Sequence, residues 1–282
     1  MNRSASLLFP VLRRWFVPLL LGCALQTIPL SATALEEEGI NVGKNSAFTN
    51  LVSADAVERS SQQQYAQMLQ QAASKNALAP PDNAQLKRLR GIAQRLIPFA
   101  IPWNERARQW QWEVNLIGST QINAFCMPGG KIAFYSGILK QLQLTDDEVA
   151  MVMGHEIAHA LREHARERMG KNAATGLGAS LIGQIFGLGQ IGQTVTNYGA
   201  QLLTLEFSRS DESEADLVGM ELAARAGFDP RSGITLWQKM GKASQGAPPQ
   251  WLSTHPAGST RIADIEANLP RVMPLYERAR KQ

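Results

Sequence analysis

Residues 151–162 read Met-Val-Met-Gly-His-Glu-Ile-Ala-His-Ala-Leu-Arg, and no other stretch constrains the fold as strongly. Just upstream, Thr145-Asp146-Asp147-Glu148 has the form of a capping box: a Thr N-cap, a Glu at the third helical position and an acid-rich first turn. The two features together predict a helix from about Asp146 to Arg168. Residues four apart on a helix lie one turn apart on the same face, so His155 and His159 can reach one metal ion. Glu156 sits next to that face, where a carboxylate can take a proton from a metal-activated water.

Two imidazoles make an incomplete site, because catalytic zinc takes three protein ligands and keeps a fourth position for water. The third ligand has to come from another helix packed on the first. Ser208-Arg-Ser-Asp-Glu-Ser-Glu-Ala-Asp216 offers one. Glu212 and Asp216 are four apart and share a helical face, whereas Glu214 points roughly the other way. Glu212 can ligate the metal while Asp216 accepts the free N–H of a ligating histidine and fixes its tautomer. A solvated acidic face paired with Arg209 is the bland alternative. The apolar Ala215, Leu217 and Val218 that follow favour the buried reading.

The chain has four histidines. His164 follows His155 by nine residues, about half a turn off its face on a continuous helix, and is expected to be a surface or supporting residue rather than a ligand. His255 precedes Pro256 in a loop. It is a candidate catalytic residue, either an oxyanion donor or a fourth ligand that holds the site latent; a histidine packed on the surface is the alternative. Arg261 can contact an oxyanion or a carboxylate.

Residues 1–34 are set apart from the rest. Arg3, Arg13 and Arg14 precede an apolar stretch from Trp15 to about Leu30, with no acid among them, the form of a secretory signal peptide. Ala32-Thr33-Ala34 provides an A-x-A exit, leaving a chain that starts at Leu35. Leu20-Leu21-Gly22-Cys23 instead resembles a lipobox, which would leave a lipid-modified Cys23; the first exit is favoured because residues 24–30 remain apolar. Cleavage after Ala34 leaves 248 residues and lowers the formal charge from +4 to +1, so the basic balance belongs mainly to the signal. No basic run alternates with aromatics, and nucleic acid is not an expected partner. Only Cys126 would remain, so no internal disulfide is expected.

The expected organisation is a signal at 1–34, a leader and Gln-rich helix at 35–82, and one domain at 83–282. In that domain a helix spans 84–96 after Asn83 as N-cap. Three strands follow, at about 110–117, 123–127 and 131–135, with Pro128-Gly129-Gly130 as a turn, giving a small antiparallel sheet before the metal-motif helix. Asp229-Pro230 opens another helix to about Met240, and two short helices follow Thr254-His255-Pro256. Residues 173–205 are Gly-rich and nearly uncharged. They read as a mobile lid over the site rather than as membrane-associated helices, because Gln184, Gln190, Gln193 and Asn197 interrupt the apolar run.

His155-Glu156-x-x-His159, Glu212-x-x-Ala215-Asp216 and Thr254-His255-Pro256 together resemble the zinc endopeptidase family of the prenyl-protein proteases and HtpX-type quality-control proteases, in its secreted, periplasmic branch. Asn123 to Gly137 resembles the strand-turn-strand of that family, and the similarity covers roughly residues 84–268. The resemblance implies an α+β, mainly helical, gluzincin-like fold and one Zn²⁺ per chain, held by His155, His159 and Glu212 with Glu156 catalytic. It also implies unfolded or misassembled envelope polypeptides as substrates, bound as an added strand, for which Asn123, Ala124 and Phe125 are the candidate edge. Two rival functions remain at this point. One is a chaperone that keeps zinc for structure, against which Glu156 argues; the other is an assembly factor tethered at Cys23.

Overall fold

The computed structural model describes residues 39–175, 206–244, 249–256 and 260–281. The expected signal and lipobox lie outside the described residues, as does nearly all of the Gly-rich segment expected to form a lid. Among the described residues no helix is long and apolar enough to cross a membrane.

Helix α1 (Ala54–Ser74) is capped by the Ser53 hydroxyl. Helix α2 (Ala84–Leu96) starts where Asn83 Oδ1 accepts from the backbone N–H groups of Gln85 and Leu86. Its Leu86, Leu89, Ile92, Ala93 and Leu96 are buried, the one-sided stripe expected of a helix laid on a core. Strands β1 (Glu113–Ile117), β2 (Ala124–Met127) and β3 (Lys131–Tyr135) form the sheet. Its order is β1-β3-β2. β2 and β3 are an antiparallel hairpin, as expected, but β1 runs parallel to β3, with Glu113 opposite Lys131. The sheet is therefore mixed and not antiparallel throughout. Gly129 and Gly130 adopt φ of 85° and 77° and close the β2–β3 hairpin tightly, and β1 pairs on the far side of β3. β2 is an edge, with all four residues buried.

After the short α3 (Ser136–Gln141) comes α4 (Asp146–Leu161), whose capping box is present in both directions. Thr145 Oγ1 accepts from Glu148 N at 3.2 Å and Glu148 Oε2 from Thr145 N at 2.9 Å. From Glu148 to Leu161 every residue of α4 is buried. The expected continuation to Arg168 does not occur. Glu163 takes a left-handed conformation (φ 57°), which ends α4, and α5 (His164–Ala174) starts in a new direction.

Helix α6 (Arg209–Arg225) begins with a second capping box, Ser208 with Asp211, and packs along α4 more extensively than any other pair of described elements. Two glycines permit it. A Cβ on Gly154 would lie 2.7 Å from Gly219 O, and one on Gly219 would lie 2.5 Å from His155 N. Both obstacles are backbone, with no flexible side chain to yield. We expect Gly219→Ala to cost about 1–3 kcal/mol through overpacking, despite alanine's better helix propensity. Thermal melting checks this; a melt at or above that of the parent would show that the helices separate freely.

Helix α7 (Ser232–Ala243) docks on the start of α4, where Lys239 and Thr235 reach the Glu148 carboxylate. Its first turn starts after Asp229-Pro230 rather than on it. The five-residue α8 (Gln250–Thr254) delivers His255. In place of two short C-terminal helices there is one, α9 (Arg261–Ala279), containing Pro270 and Pro274. Each proline removes one intrahelical donor, but buried Ile265, Val272, Leu275 and Tyr276 hold the helix against its neighbours.

Candidate metal centre

The structure brings His155, His159, Glu212 and His255 together. One potential ligand atom from each lies within 4.8 Å of the others, and all four side chains are buried. The Nε2 atoms of His155 and His159 are 3.0 Å apart. Glu212 Oε1 lies 3.3 Å from His159 Nε2, and its Oε2 lies 3.6 Å from His155 Nε2. The convergence follows from two helices, each presenting residues four apart to the other across the glycine contact.

Hydrogen placement in the site can be worked out from the partners. A carboxylate only accepts, so His155 donates its Nδ1 hydrogen to Asp216 Oδ1 at 3.0 Å, and its Nε2 carries a bare lone pair. His255 donates from Nδ1 to the Trp251 carbonyl at 3.1 Å, which bares its Nε2 as well. Among the described residues that nitrogen has no hydrogen-bond partner, and neither does Glu212 Oε1. Burial pushes His155 down to about 4 despite Asp216, and His159 and His255 well below the ordinary imidazole range, so all three rings are neutral ligand donors at neutral pH.

Charge points the same way. Burial pushes the Glu212 carboxyl up to about 9, against the opposing charge of Arg261 and with Asp216 and Glu156 adding to it. Three carboxylates face one guanidinium in a buried space. Orphaned lone pairs on nitrogen and oxygen, beside a carboxyl that burial keeps from ionising unless a cation compensates it, fit a divalent cation that accepts mixed N and O ligands.

Arg261 meets carboxylates. Its Nε and Nη2 donate to Asp216 at 2.5 and 2.6 Å, and its Nη1 donates to Glu212 Oε2 at 2.5 Å. The guanidinium lies flat over the Trp237 ring, 3.8 Å from its centroid. Burial alone would raise the Asp216 carboxyl, but Arg261 and His155 outweigh it and hold it below the ordinary range.

Glu156 stands beside the ligand group, not in it. Trp251 Nε1 donates to its Oε1 at 2.6 Å, and His255 Nε2 is 3.6 Å from the same oxygen. Burial pushes the carboxyl up to about 8, opposed by Trp251, Arg261 and the Cys126 backbone. Glu156 and His159 share a cleft with Asn123, Ala124 and Phe125 of the β2 edge and with Phe207. Cys126, in the same strand, is buried with its thiol pushed well up by burial, consistent with a packing residue.

Two contributors were not foreseen, Trp251 and Phe207, and a third, His164, takes the supporting one of its two expected places. Trp251 holds Glu156 and stacks on His255, with ring centroids 4.8 Å apart. Phe207 stacks on His159 at 4.0 Å. His164, expected at the surface or in support, is buried with Nδ1 2.9 Å from His159 Nδ1. An aromatic three residues after a helix or just before one carries no signal of its own in a single sequence; only the helix break and the α8 turn bring these rings inward.

A model described as peptidase family M48 matches residues 83–269. The chain belongs to peptidase family M48. That assignment agrees with the resemblance carried by the motifs and places the chain in a metallopeptidase family. It is 39% identical over 150 residues to the mitochondrial metalloendopeptidase OMA1 of Arabidopsis thaliana, covering 53% of this chain and 30% of that protein. It is 28% identical over 251 residues to the metalloprotease LoiP of Escherichia coli, covering 88% of this chain and 94% of LoiP. It is 29% identical over 169 residues to the beta-barrel assembly-enhancing protease of Yersinia pestis, covering 56% of this chain and 35% of that protein. The chain thus spans about a third of the length of the plant and Yersinia relatives.

Proposed function

We propose that this M48 member is a zinc-dependent endopeptidase that cleaves unfolded or misassembled envelope polypeptides in the periplasm. The observation that carries the reading is the convergence of the two Nε2 atoms of α4 with Glu212 from α6, beside a separately held Glu156. The similarity to a protease named for enhancing beta-barrel assembly supports the substrate class, and the signal-like residues 1–34 support the location.

In this reading His155, His159 and Glu212 hold the ion. When bound, zinc supplies a Lewis acid and lowers the pKa of water at its open position to about 7. Glu156 accepts the proton of the attacking water and passes it to the leaving amine. Asp216, braced by Arg261, fixes the His155 tautomer. Asn123, Ala124 and Phe125 lie along the outer strand of the sheet beside Glu156, and a substrate paired there is read through its backbone more than its side chains, which suits unfolded chains.

His255 brings a fourth donor to the same group; were it to bind the ion, it would occupy the position water needs and hold the site latent. The test is metal analysis of the purified protein together with casein cleavage. We expect one equivalent of zinc, weak cleavage by the parent, and a gain on His255→Ala. A protein that takes up no zinc or leaves casein intact in every form would sink the reading; loss of activity in His255→Ala would instead make that ring a direct participant in the chemistry.

A further inference from the structure

The two imidazoles on α4 are oriented by different means. His155 Nδ1 meets a carboxylate, Asp216, which two hydrogen bonds from Arg261 secure. Among the described residues no carboxylate meets the outer nitrogen of His159. Its Nδ1 meets Nδ1 of His164 at 2.9 Å, with ring centroids 4.9 Å apart and planes 75° from parallel.

We propose that His164 is a positioning residue for the metal centre: its Nδ1 accepts the Nδ1 hydrogen of His159 and so keeps His159 Nε2 bare and aimed at the ion. The inference rests on the zinc reading above. Two Nδ1 atoms at this distance share a single hydrogen. For His159 to ligate through Nε2, which faces His155 Nε2 and Glu212, that hydrogen must sit on its own Nδ1. His164 then accepts at Nδ1 and carries its hydrogen on Nε2. That nitrogen is buried and has no hydrogen-bond partner among the described residues; the Glu214 Oε2 carboxylate oxygen lies 3.6 Å from it, an ion-pair distance longer than a hydrogen bond. Glu214 is in turn held by Arg162 Nε, and Arg162 also donates to Gly43 O at 3.0 Å. A carboxylate braced by an arginine therefore stands behind each ring, hydrogen-bonded to His155 at 3.0 Å but at the longer 3.6 Å from His164.

The backbone is shaped for this contact. On an unbroken helix His164 would lie half a turn from His155 and away from His159. The left-handed Glu163 brings its ring back. A non-glycine residue at φ 57° is uncommon and costs energy. Glu163 is held there by Arg166 Nη1 at 2.7 Å and Asn45 Nδ2 at 3.4 Å. A histidine needed only to fill space would not call for a neighbour in that conformation.

The rival view is that His164 merely packs. Two substitutions separate the views. His164→Phe keeps the ring and removes the acceptor, while His164→Asn places an amide oxygen about where Nδ1 lies. The readout is zinc affinity by competition with a chromogenic chelator, with melting of the metal-free proteins as a folding control. Loss of an outer partner of a ligating histidine typically weakens metal binding by about 10- to 100-fold. We expect a loss of that size for His164→Phe and recovery to within a few-fold of the parent for His164→Asn. Should the Phe protein fail to fold, His164→Gln replaces it, because its oxygen is carried one bond too far and should not rescue. Parental affinity in the variant lacking the acceptor, or equal weakening in the Asn variant, would overturn the proposal. A parent protein that binds no zinc would instead overturn the endopeptidase reading, a separate failure.

Discussion

Glu156→Gln retains one equivalent of zinc and lowers casein cleavage by about 10²- to 10⁴-fold, the range typical of losing a general acid–base group. The geometry separates the two properties. The four atoms that converge as potential ligands come from His155, His159, Glu212 and His255, so removing the negative charge of Glu156 leaves the donor set whole. An amide of the same shape still accepts the Trp251 indole hydrogen, so the loss is not one of packing. What disappears is the basic oxygen. Burial pushes this carboxyl up to about 8, which makes its ionised form a stronger base than an ordinary carboxylate. Only the deprotonated group can take a proton, so cleavage by the parent should fall as the pH is lowered through the value of Glu156, which a nearby cation lowers from about 8. The residual rate of Glu156→Gln should lose that acid limb. Metal analysis and a pH–rate profile check both parts; cleavage equal to the parent would reject Glu156 as the base.

The parts of the fold that were legible are those written locally. The Thr145 capping box placed the start of α4, and the Asn83 N-cap with the apolar spacing of residues 84–96 placed α2, because each depends on residues within a turn of one another. Strand order was not legible: the hairpin turn at Pro128-Gly129-Gly130 indicates that β2 and β3 pair, but nothing local states on which side β1 adds or in which direction. The end of α4 was misplaced because Glu163 has no intrinsic preference for a left-handed conformation. It is held there by Arg166 and by Asn45, the latter more than a hundred residues earlier. The single α9 overrides two prolines through tertiary packing, a term absent from propensity. At the metal centre, residues four apart on one helix could be paired from spacing alone. His164, Trp251 and Phe207 could not, since each reaches the site only through a break or turn that the rest of the fold imposes. The glycine pair Gly154 and Gly219 was visible but mute until the two helices were set side by side.

That helix pairing decides the second large effect. Glu212→Ala should lower zinc affinity by more than the about 10- to 100-fold that loss of an outer partner costs, whereas Glu214→Ala should still bind one equivalent. Both residues lie in the first turns of α6, two positions apart, and differ in which way α6 turns them. Glu212 is 1% exposed with both oxygens within 3.6 Å of a histidine Nε2, while Glu214 turns to Arg162 and His164. Removing Glu212 takes away the oxygen donor and its charge. It should do little to the metal-free fold, because Arg261 keeps its two hydrogen bonds to Asp216 and its stacking on Trp237, and a buried carboxyl pushed up to about 9 is costly to keep ionised without a cation. The expected pattern is therefore a metal-free melt close to that of the parent and a melt with zinc present that no longer rises, since stabilisation by a ligand follows its affinity. The reverse pattern, with zinc lost in Glu214→Ala and kept in Glu212→Ala, would mean that the metal lies on the other side of α6 and that the convergence of the two helices serves packing alone.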